Sequence, residues 1–323
     1  MALIFLTRQI PSPCVDALSA AGHEVTVGAV DRTLSAEELR TAVAAKPYEV
    51  LITLLTDTVD ASIFAVAPHL KVVANYAVGY NNIDLSAAME RNIVVTNTPG
   101  VLTDTVAEFT MALILAVTKR ITEADRYTRA GAFTGWEPEL LLGCDLHGKT
   151  LLIVGGGRIG TAVARAAHHG LGMQIVYTDQ ALCDPLEACV PATYFASLDE
   201  ALPLADVVSL HVPLLPTTTH LMNADRLALM KPTAYLVNTA RGPIVDEAAL
   251  AQALATDIIA GAALDVFERE PVVHPGLLGS DKVVLTPHIA SASIETRTKM
   301  SEIVAENVLA VLAGGVAPNQ VRA

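Results

Sequence analysis

Charged side chains are scarce in this chain and aromatic ones scarcer. Of 323 residues, 17% are Asp, Glu, Lys or Arg and 4% are Phe, Tyr or Trp. With 52% hydrophobic residues against so little charge, the chain fits neither a disordered protein nor a coiled coil. Basic residues are the rarer of the charges, 21 against 34 acidic, for a net charge of −13. A negative field repels phosphate backbones and anionic headgroups, which argues against nucleic-acid and membrane-surface roles. Long apolar runs are missing too: Met111 to Val117 and Ile258 to Leu264 fall well short of the roughly 18 residues of a membrane span. The N-terminus, Met1 to Leu6, meets Thr7 and Arg8 without a basic leader and reads as a first strand rather than a signal peptide. The four cysteines (Cys14, Cys144, Cys183, Cys189) form no C-x-x-C pair and no metal-ligand spacing. They are expected to be reduced packing residues of a cytoplasmic protein, with no metal site.

What is present is a long alternation of short apolar runs with longer helical patterns, the mark of parallel sheets covered by helices. At roughly 150 residues per domain the length suggests two domains. In the first series Leu3 to Thr7, His23 to Val27, Val50 to Leu54, Leu70 to Ala74 and Ile93 to Thr96 read as strands. Asn97-Thr98-Pro99-Gly100 then breaks the pattern, and Thr105 to Glu108 has the spacing of a capping box for the helix that follows. A second series has strands at Thr150 to Val154, Gln174 to Tyr177, Asp206 to Leu210, Ala234 to Asn238, Ile259 to Leu264 and Lys282 to Thr286. Ala292 to Ala313 reads as one long helix. The fold class expected is α/β, with two doubly wound parallel-sheet domains.

Gly155-Gly156-Gly157-Arg158-Ile159-Gly160 satisfies G-x-G-x-x-G, follows an apolar strand and opens a helix. Asp179 stands 19 residues beyond Gly160, at the end of the next strand. That context turns a common glycine turn into a dinucleotide fingerprint. Gly155 permits the tight turn, Gly157 lets backbone approach a pyrophosphate, Gly160 lets helix pack on strand, and the helix N-terminus supplies N–H donors. Asp179 accepts from ribose hydroxyls and repels a 2′-phosphate, so NAD(H) is expected and NADP(H) disfavoured.

Three further stretches each follow a strand, where open α/β sheets place ligands: Asn238 to Gly242, Asp265 to Pro271, and Thr286 to Ala290. They bring a guanidinium, a carboxylate and an imidazole, the set that 2-keto acid reduction requires. The guanidinium grips a substrate carboxylate and polarises the keto oxygen. The imidazolium donates a proton to that oxygen, and the carboxylate orients the ring and favours its charged form.

With Ala74 to Asp84, Val94 to Asp104 and Gly135 to Pro138 added, the sequence resembles the D-isomer-specific 2-hydroxyacid dehydrogenases over essentially its whole length. Within that family it is most similar to the glyoxylate/hydroxypyruvate reductases. The resemblance implies reduction of glyoxylate to glycolate and of hydroxypyruvate to D-glycerate. Arg241, Glu270 and His288 are the catalytic set it implies, and Glu270 is preferred to Glu268 because the family's acid directly precedes the proline. Substrate contacts fall to the backbone of Val78 and Gly79, to Leu54, and to Trp136, which either reaches a neighbouring subunit's site or fills an interface core. Cofactor contacts are Gly155, Gly157, Arg158, Ile159, Gly160, Asp179, Val212, Pro213, Thr239, Ala240, Asp265 and Ala290, with Asp265 matching a carboxamide-binding acid. The implied layout is a flavodoxin-like substrate domain (1–99 and 288–323) with a Rossmann coenzyme domain (100–287) inserted, forming a homodimer.

Other members of the family stand as alternatives, of D-lactate, 2-ketogluconate or phosphite type, as does an NAD-sensing corepressor. Phosphite dehydrogenases carry lysine where Val78 stands, formate dehydrogenases glutamine where Glu270 stands, and the phosphoglycerate enzymes a regulatory extension. Many NADPH-using reductases carry a basic residue just after the second coenzyme-domain strand, where this chain has Asp179-Gln180. Glu268 is expected to be solvated, and His211 to end a strand without doing chemistry.

Overall fold

The computed structural model describes residues 1–322. Two compact units result: residues to Leu102 together with those from Ala292 onward, and Thr103–Ser291. The sequence places these breaks near Pro99 and Pro287. They fall slightly later because the crossover residues Val101 and Leu102 pack on the first unit's core, whereas the helix Thr103–Thr118 packs its Ala107, Met111 and Ile114 into the second's.

The first unit has a five-stranded sheet: β1 (Leu3–Leu6), β2 (Glu24–Val27), β3 (Val50–Thr53), β4 (Val72–Asn75) and β5 (Val94–Thr96). All pairings are parallel, in the order β2-β1-β3-β4-β5. That is the flavodoxin-like doubly wound order. Helices cover both faces, so β3 and β4 are buried at every position and are apolar up to their last residues, Thr53 and Asn75. The C-terminal helix Ile294–Leu312 returns to this unit: Met300, Val304 and Val308 join the core around Ile4, Leu6 and Ile52. Its Ser301 Oγ accepts from the Cys14 N–H (2.9 Å) and donates to the Pro11 carbonyl (2.5 Å), fixing it to the first helix.

The second unit has seven parallel strands: β6 (Thr150–Val154), β7 (Gln174–Thr178), β8 (Ala192–Tyr194), β9 (Val207–Leu210), β10 (Tyr235–Asn238), β11 (Gly261–Leu264) and β12 (Val283–Leu285). Their order, β12-β11-β10-β9-β6-β7-β8, reverses direction between β6 and β9. This is the Rossmann arrangement with its topological switch point beside β6. β8 escapes the sequence pattern because it has three residues and none of them is fully buried. The helix that the glycine turn opens starts at Arg158, inside the motif. The helix Thr103–Thr118 starts two residues before Thr105, which therefore lies in its first turn and is not its cap.

Cys14 is fully buried in the first unit, and burial pushes its thiol up to about 12. Alkylation with iodoacetamide at pH 8 is therefore expected to modify the exposed Cys189 first and to leave Cys14 untouched until urea unfolds the unit. Peptide mass mapping showing early Cys14 labelling contradicts this packing.

Candidate active site

In the second unit the chemistry gathers at the carboxyl ends of the strands, around the switch point. β6 runs directly into Gly155, whose φ of +100° suits glycine. A Cβ there would stand 2.9 Å from the His211 carbonyl carbon, so this turn also lies against the end of β9. A side chain on Gly160 would strike the Gly155 carbonyl and Ile153, so glycine alone lets the helix Arg158–Leu171 lie on β6. Gly157 caps that helix, and no atom lies within 4 Å of where its Cβ would point. That open side lets another group approach the backbone closely beside the helix N-terminus, as a bound phosphate requires. Arg158 and Ile159 form the helix's first turn, Arg158 exposed and Ile159 half-buried.

Asp179 closes the far side of the loop. Its Oδ2 accepts from the Gly156 N–H (2.7 Å) and its Oδ1 from the Gln180 N–H (2.7 Å). Each oxygen keeps a lone pair for a hydroxyl. The Gly156 carbonyl is held by the Thr161 hydroxyl (2.8 Å) and the Cys183 thiol (2.9 Å), and the Tyr194 hydroxyl donates to the Asp179 carbonyl (3.1 Å). Sequence reasoning missed Thr161, Cys183 and Tyr194. Only Thr161, directly after the last glycine, had a positional signal. These features fit a dinucleotide: a glycine cradle, the N–H donors of a helix start and a carboxylate beside the loop.

At the end of β9, burial drives the His211 imidazole down to about 3, so the ring is neutral, and Ser209 Oγ lies 2.9 Å from its Nε2. It directly follows the last residue of β9, the strand end its sequence context predicts. Val212 packs partly on the core, and exposed Pro213 accepts from the Thr218 hydroxyl (2.6 Å).

Arg241 follows β10 on a turn built by its fully buried neighbour Asn238, whose side chain donates to the Arg241 carbonyl (2.9 Å) and accepts from the Ala240 N–H (3.0 Å). Thr239 is buried and shares a 2.9 Å hydrogen bond with Thr110. Arg241 also donates to the Ala240 carbonyl (2.7 Å). Burial pulls its guanidinium downward and the charge of Glu270 opposes that, so it remains a cation. A side chain on Gly242 would collide with Phe267 and Glu268, so the arginine turn and the acidic loop after β11 touch backbone to backbone.

Glu270 lies on that loop. Its Oε1 accepts from the Phe267 N–H (3.1 Å) and its Oε2 lies 2.9 Å from His288 Nδ1. Partial burial works against its charge, but His288, the Phe267 N–H and Arg241 hold its carboxyl below the usual range. His288 has φ +56°, a left-handed conformation that histidine adopts only under constraint. Asp265 supplies the constraint. Fully buried, it accepts from the Thr286 hydroxyl (2.6 Å) and the Ile289 N–H (2.9 Å) at Oδ1 and from the Ala290 N–H (2.8 Å) at Oδ2. The histidine's own N–H donates to the Asp265 carbonyl (2.8 Å). Guanidinium, carboxylate and imidazole thus stand together at the ends of the adjacent strands β10, β11 and β12, and Glu270 is the acid that meets the histidine. Glu268 is not solvated as its sequence context implies: it pairs with His220 Nε2 (3.3 Å) and is only about a quarter exposed.

The first unit holds the other substrate candidates. Asn75 and Asn97 side chains donate to the Gly79 and Val78 carbonyls (2.8 Å each). The Val78 and Gly79 N–H groups donate to nothing among the described residues. Two adjacent free amides suit a carboxylate. Leu54 is half-buried at the end of β3, its carbonyl accepting from Asn82 (3.2 Å). Trp136 follows the helix Ile121–Arg129 on an irregular segment and is 84% exposed, so it fills no core of its own unit.

The model of the D-isomer specific 2-hydroxyacid dehydrogenase NAD binding domain matches residues 111–290, within this second unit. A glyoxylate reductase of Thermofilum pendens is 48% identical over 98% of this chain and 93% of its own. The chain belongs to the D-isomer specific 2-hydroxyacid dehydrogenase family. A Korarchaeum cryptofilum glyoxylate reductase is 51% identical over 85% of this chain and 83% of its own. The structure of an NADPH-dependent glyoxylate/hydroxypyruvate reductase of Sinorhizobium meliloti, in complex with NADP and malonate, is similar with a TM-score of 0.85 at 33% identity, covering 99% of this chain and 96% of that one. The family is one of NAD-binding dehydrogenases, and Arg241, Glu270 and His288 all lie within the matched domain. No helix among the described residues is long and apolar enough to cross a membrane, and no group of His, Cys, Asp or Glu among them is placed to hold a metal.

Proposed function

We propose that this dehydrogenase reduces glyoxylate to glycolate and hydroxypyruvate to D-glycerate with NADH. The observation that carries the reading is the Glu270–His288 pair beside Arg241, a hydrogen-bonded carboxylate–imidazole couple next to a guanidinium fork. The relatives named glyoxylate reductase direct it to small 2-keto acids. A bound nicotinamide supplies the hydride. Gly155, Gly157, Gly160 and the first turn at Arg158 and Ile159 would hold its pyrophosphate, and Asp179 its ribose.

The chain's own residues do the rest. Arg241 takes the substrate carboxylate and polarises the keto oxygen by paired charged hydrogen bonds. Glu270 engages Nδ1 of His288, which leaves Nε2 to carry the proton delivered to that oxygen. The proton comes from the couple, whose Glu270 carboxyl is held low by His288, so reduction requires the couple protonated and slows as pH rises. The free Val78 and Gly79 amides and Leu54 are further candidate substrate contacts. Exposed Phe133, Trp136 and Leu142 are covered by a second copy in a homodimer, and the protein works in the cytoplasm, its four thiols free.

The preference for NADH rests on the Asp179 carboxylate, which would meet a 2′-phosphate at close range, a like-charge encounter costing several kcal/mol. Steady-state kinetics over a panel of 2-keto acids should give the highest kcat/KM with glyoxylate and hydroxypyruvate. NADH should exceed NADPH by at least about tenfold. Asp179→Asn should narrow that ratio while keeping an acceptor for the Gly156 N–H. A wild-type preference for NADPH overturns the cofactor assignment; inactivity toward every keto acid with either cofactor overturns the function.

A further inference from the structure

Glu247 is a buried carboxylate outside the Arg241, Glu270 and His288 set. Glu247 opens the helix Glu247–Ala255 and is 4% exposed. Such a group ordinarily binds its own helix terminus, but that task falls to Asp246, whose side chain accepts from the Ala249 N–H. Glu247 turns instead to the loop after β11. Its Oε1 accepts from the Glu268 N–H at 2.6 Å and its Oε2 from the His274 N–H at 3.1 Å. These two donors flank Glu270 on either side. Within the span they close, the Val272 N–H donates to the Arg269 carbonyl (2.8 Å). The same loop lies against the backbone of Gly242, five residues before Glu247. The arginine turn and the helix after it therefore hold the acidic loop at two places.

We propose that Glu247 is a positioning residue for the proton-donor couple: its carboxylate staples the loop 268–274 so that Glu270 meets His288. This rests on the reading that Glu270 and His288 form that couple. A 2.9 Å contact between side chains from different loops tolerates little drift, and a displacement of about 1 Å costs on the order of a hundredfold in rate. Titratable groups near the staple are Glu268 with its partner His220, Arg269 and His274 in the loop itself, and Asp246 beside Glu247; those facing Glu270 are Arg241 and His288. Glu268 adds a weak return bond, its Oε2 accepting from the Glu247 N–H at 3.4 Å.

Glu247→Gln leaves one oxygen to accept and turns an amide donor toward the other N–H, so one arm of the staple is lost. The measurement is the pH profile of kcat/KM for glyoxylate reduction with NADH, for wild type, Glu247→Gln, Glu270→Gln and the double variant. Glu270→Gln is expected to move the alkaline fall to lower pH. Glu247→Gln should move it the same way by part of that distance and lower kcat about ten- to a hundredfold, with KM for NADH unchanged. The double variant should show the profile of Glu270→Gln alone, since both changes act through one contact. Should Glu247→Gln not fold, Glu247→Asp, which keeps the charge but reaches one donor, must show the same shift at smaller size. A lower Tm with an unmoved pH profile makes Glu247 merely structural and overturns the inference. A profile unmoved by Glu270→Gln overturns the reading beneath it as well, so the two failures are told apart.

Discussion

His288→Asn is expected to lower kcat for keto-acid reduction by about two to four orders of magnitude, the usual worth of a positioned general acid. Asparagine is the informative replacement because of the backbone. At φ +56° most side chains would add strain and confuse lost chemistry with lost structure. Asparagine enters the left-handed region more readily than most residues. The Asp265 carboxylate binds the Thr286 hydroxyl and the N–H groups of Ile289 and Ala290, none of which the substitution touches. The turn should therefore persist, and the affinity for NADH, read by quenching of protein fluorescence, should stay near the wild-type value. The alkaline fall in kcat/KM should vanish with the group that causes it. A loss under about tenfold places the proton donor elsewhere.

Much of this was legible in the chain because of how parallel strands are buried. With helices on both faces, β3, β4, β6 and β9 show apolar runs, and the residue after each run lies at the ligand-binding end of its sheet. Gly155, Asp179, Arg241 and His288 could be placed at strand ends from sequence alone, and the structure has each of them there. Contacts made across the topology left no local trace. Asp246-Glu247 reads as an ordinary acidic helix start, and nothing nearby tells that the second carboxylate reaches the loop 21 residues on. Cys183 likewise lies 27 residues from the carbonyl it holds. Glu268 reads as solvated for the same reason, since its partner His220 lies on the connection between β9 and β10, far away in sequence. Positions were readable; the hydrogen bonds that hold them were not.

Arg241→Ala should reduce kcat/KM for glyoxylate by about a hundredfold to ten-thousandfold. Two charge-assisted hydrogen bonds are lost, each worth about 1.5–3 kcal/mol, and each 1.4 kcal/mol is a factor of ten. Both parameters should suffer. KM rises because the substrate carboxylate loses its fork, and kcat falls because the keto oxygen is no longer polarised as charge develops on it. Arg241→Lys separates charge from geometry. The guanidinium is anchored by its hydrogen bond to the Ala240 carbonyl, on a turn set by Asn238 and pressed by Gly242 against Phe267. A lysine ammonium keeps the charge there but is a point donor, so it should recover binding more than turnover. Free guanidinium added to the alanine variant should restore part of kcat, because the cavity left faces the same Glu270 charge. Near-normal glyoxylate turnover by Arg241→Ala refutes the assignment. Recovery by lysine to the wild-type rate keeps the charge but removes the case for paired hydrogen bonds.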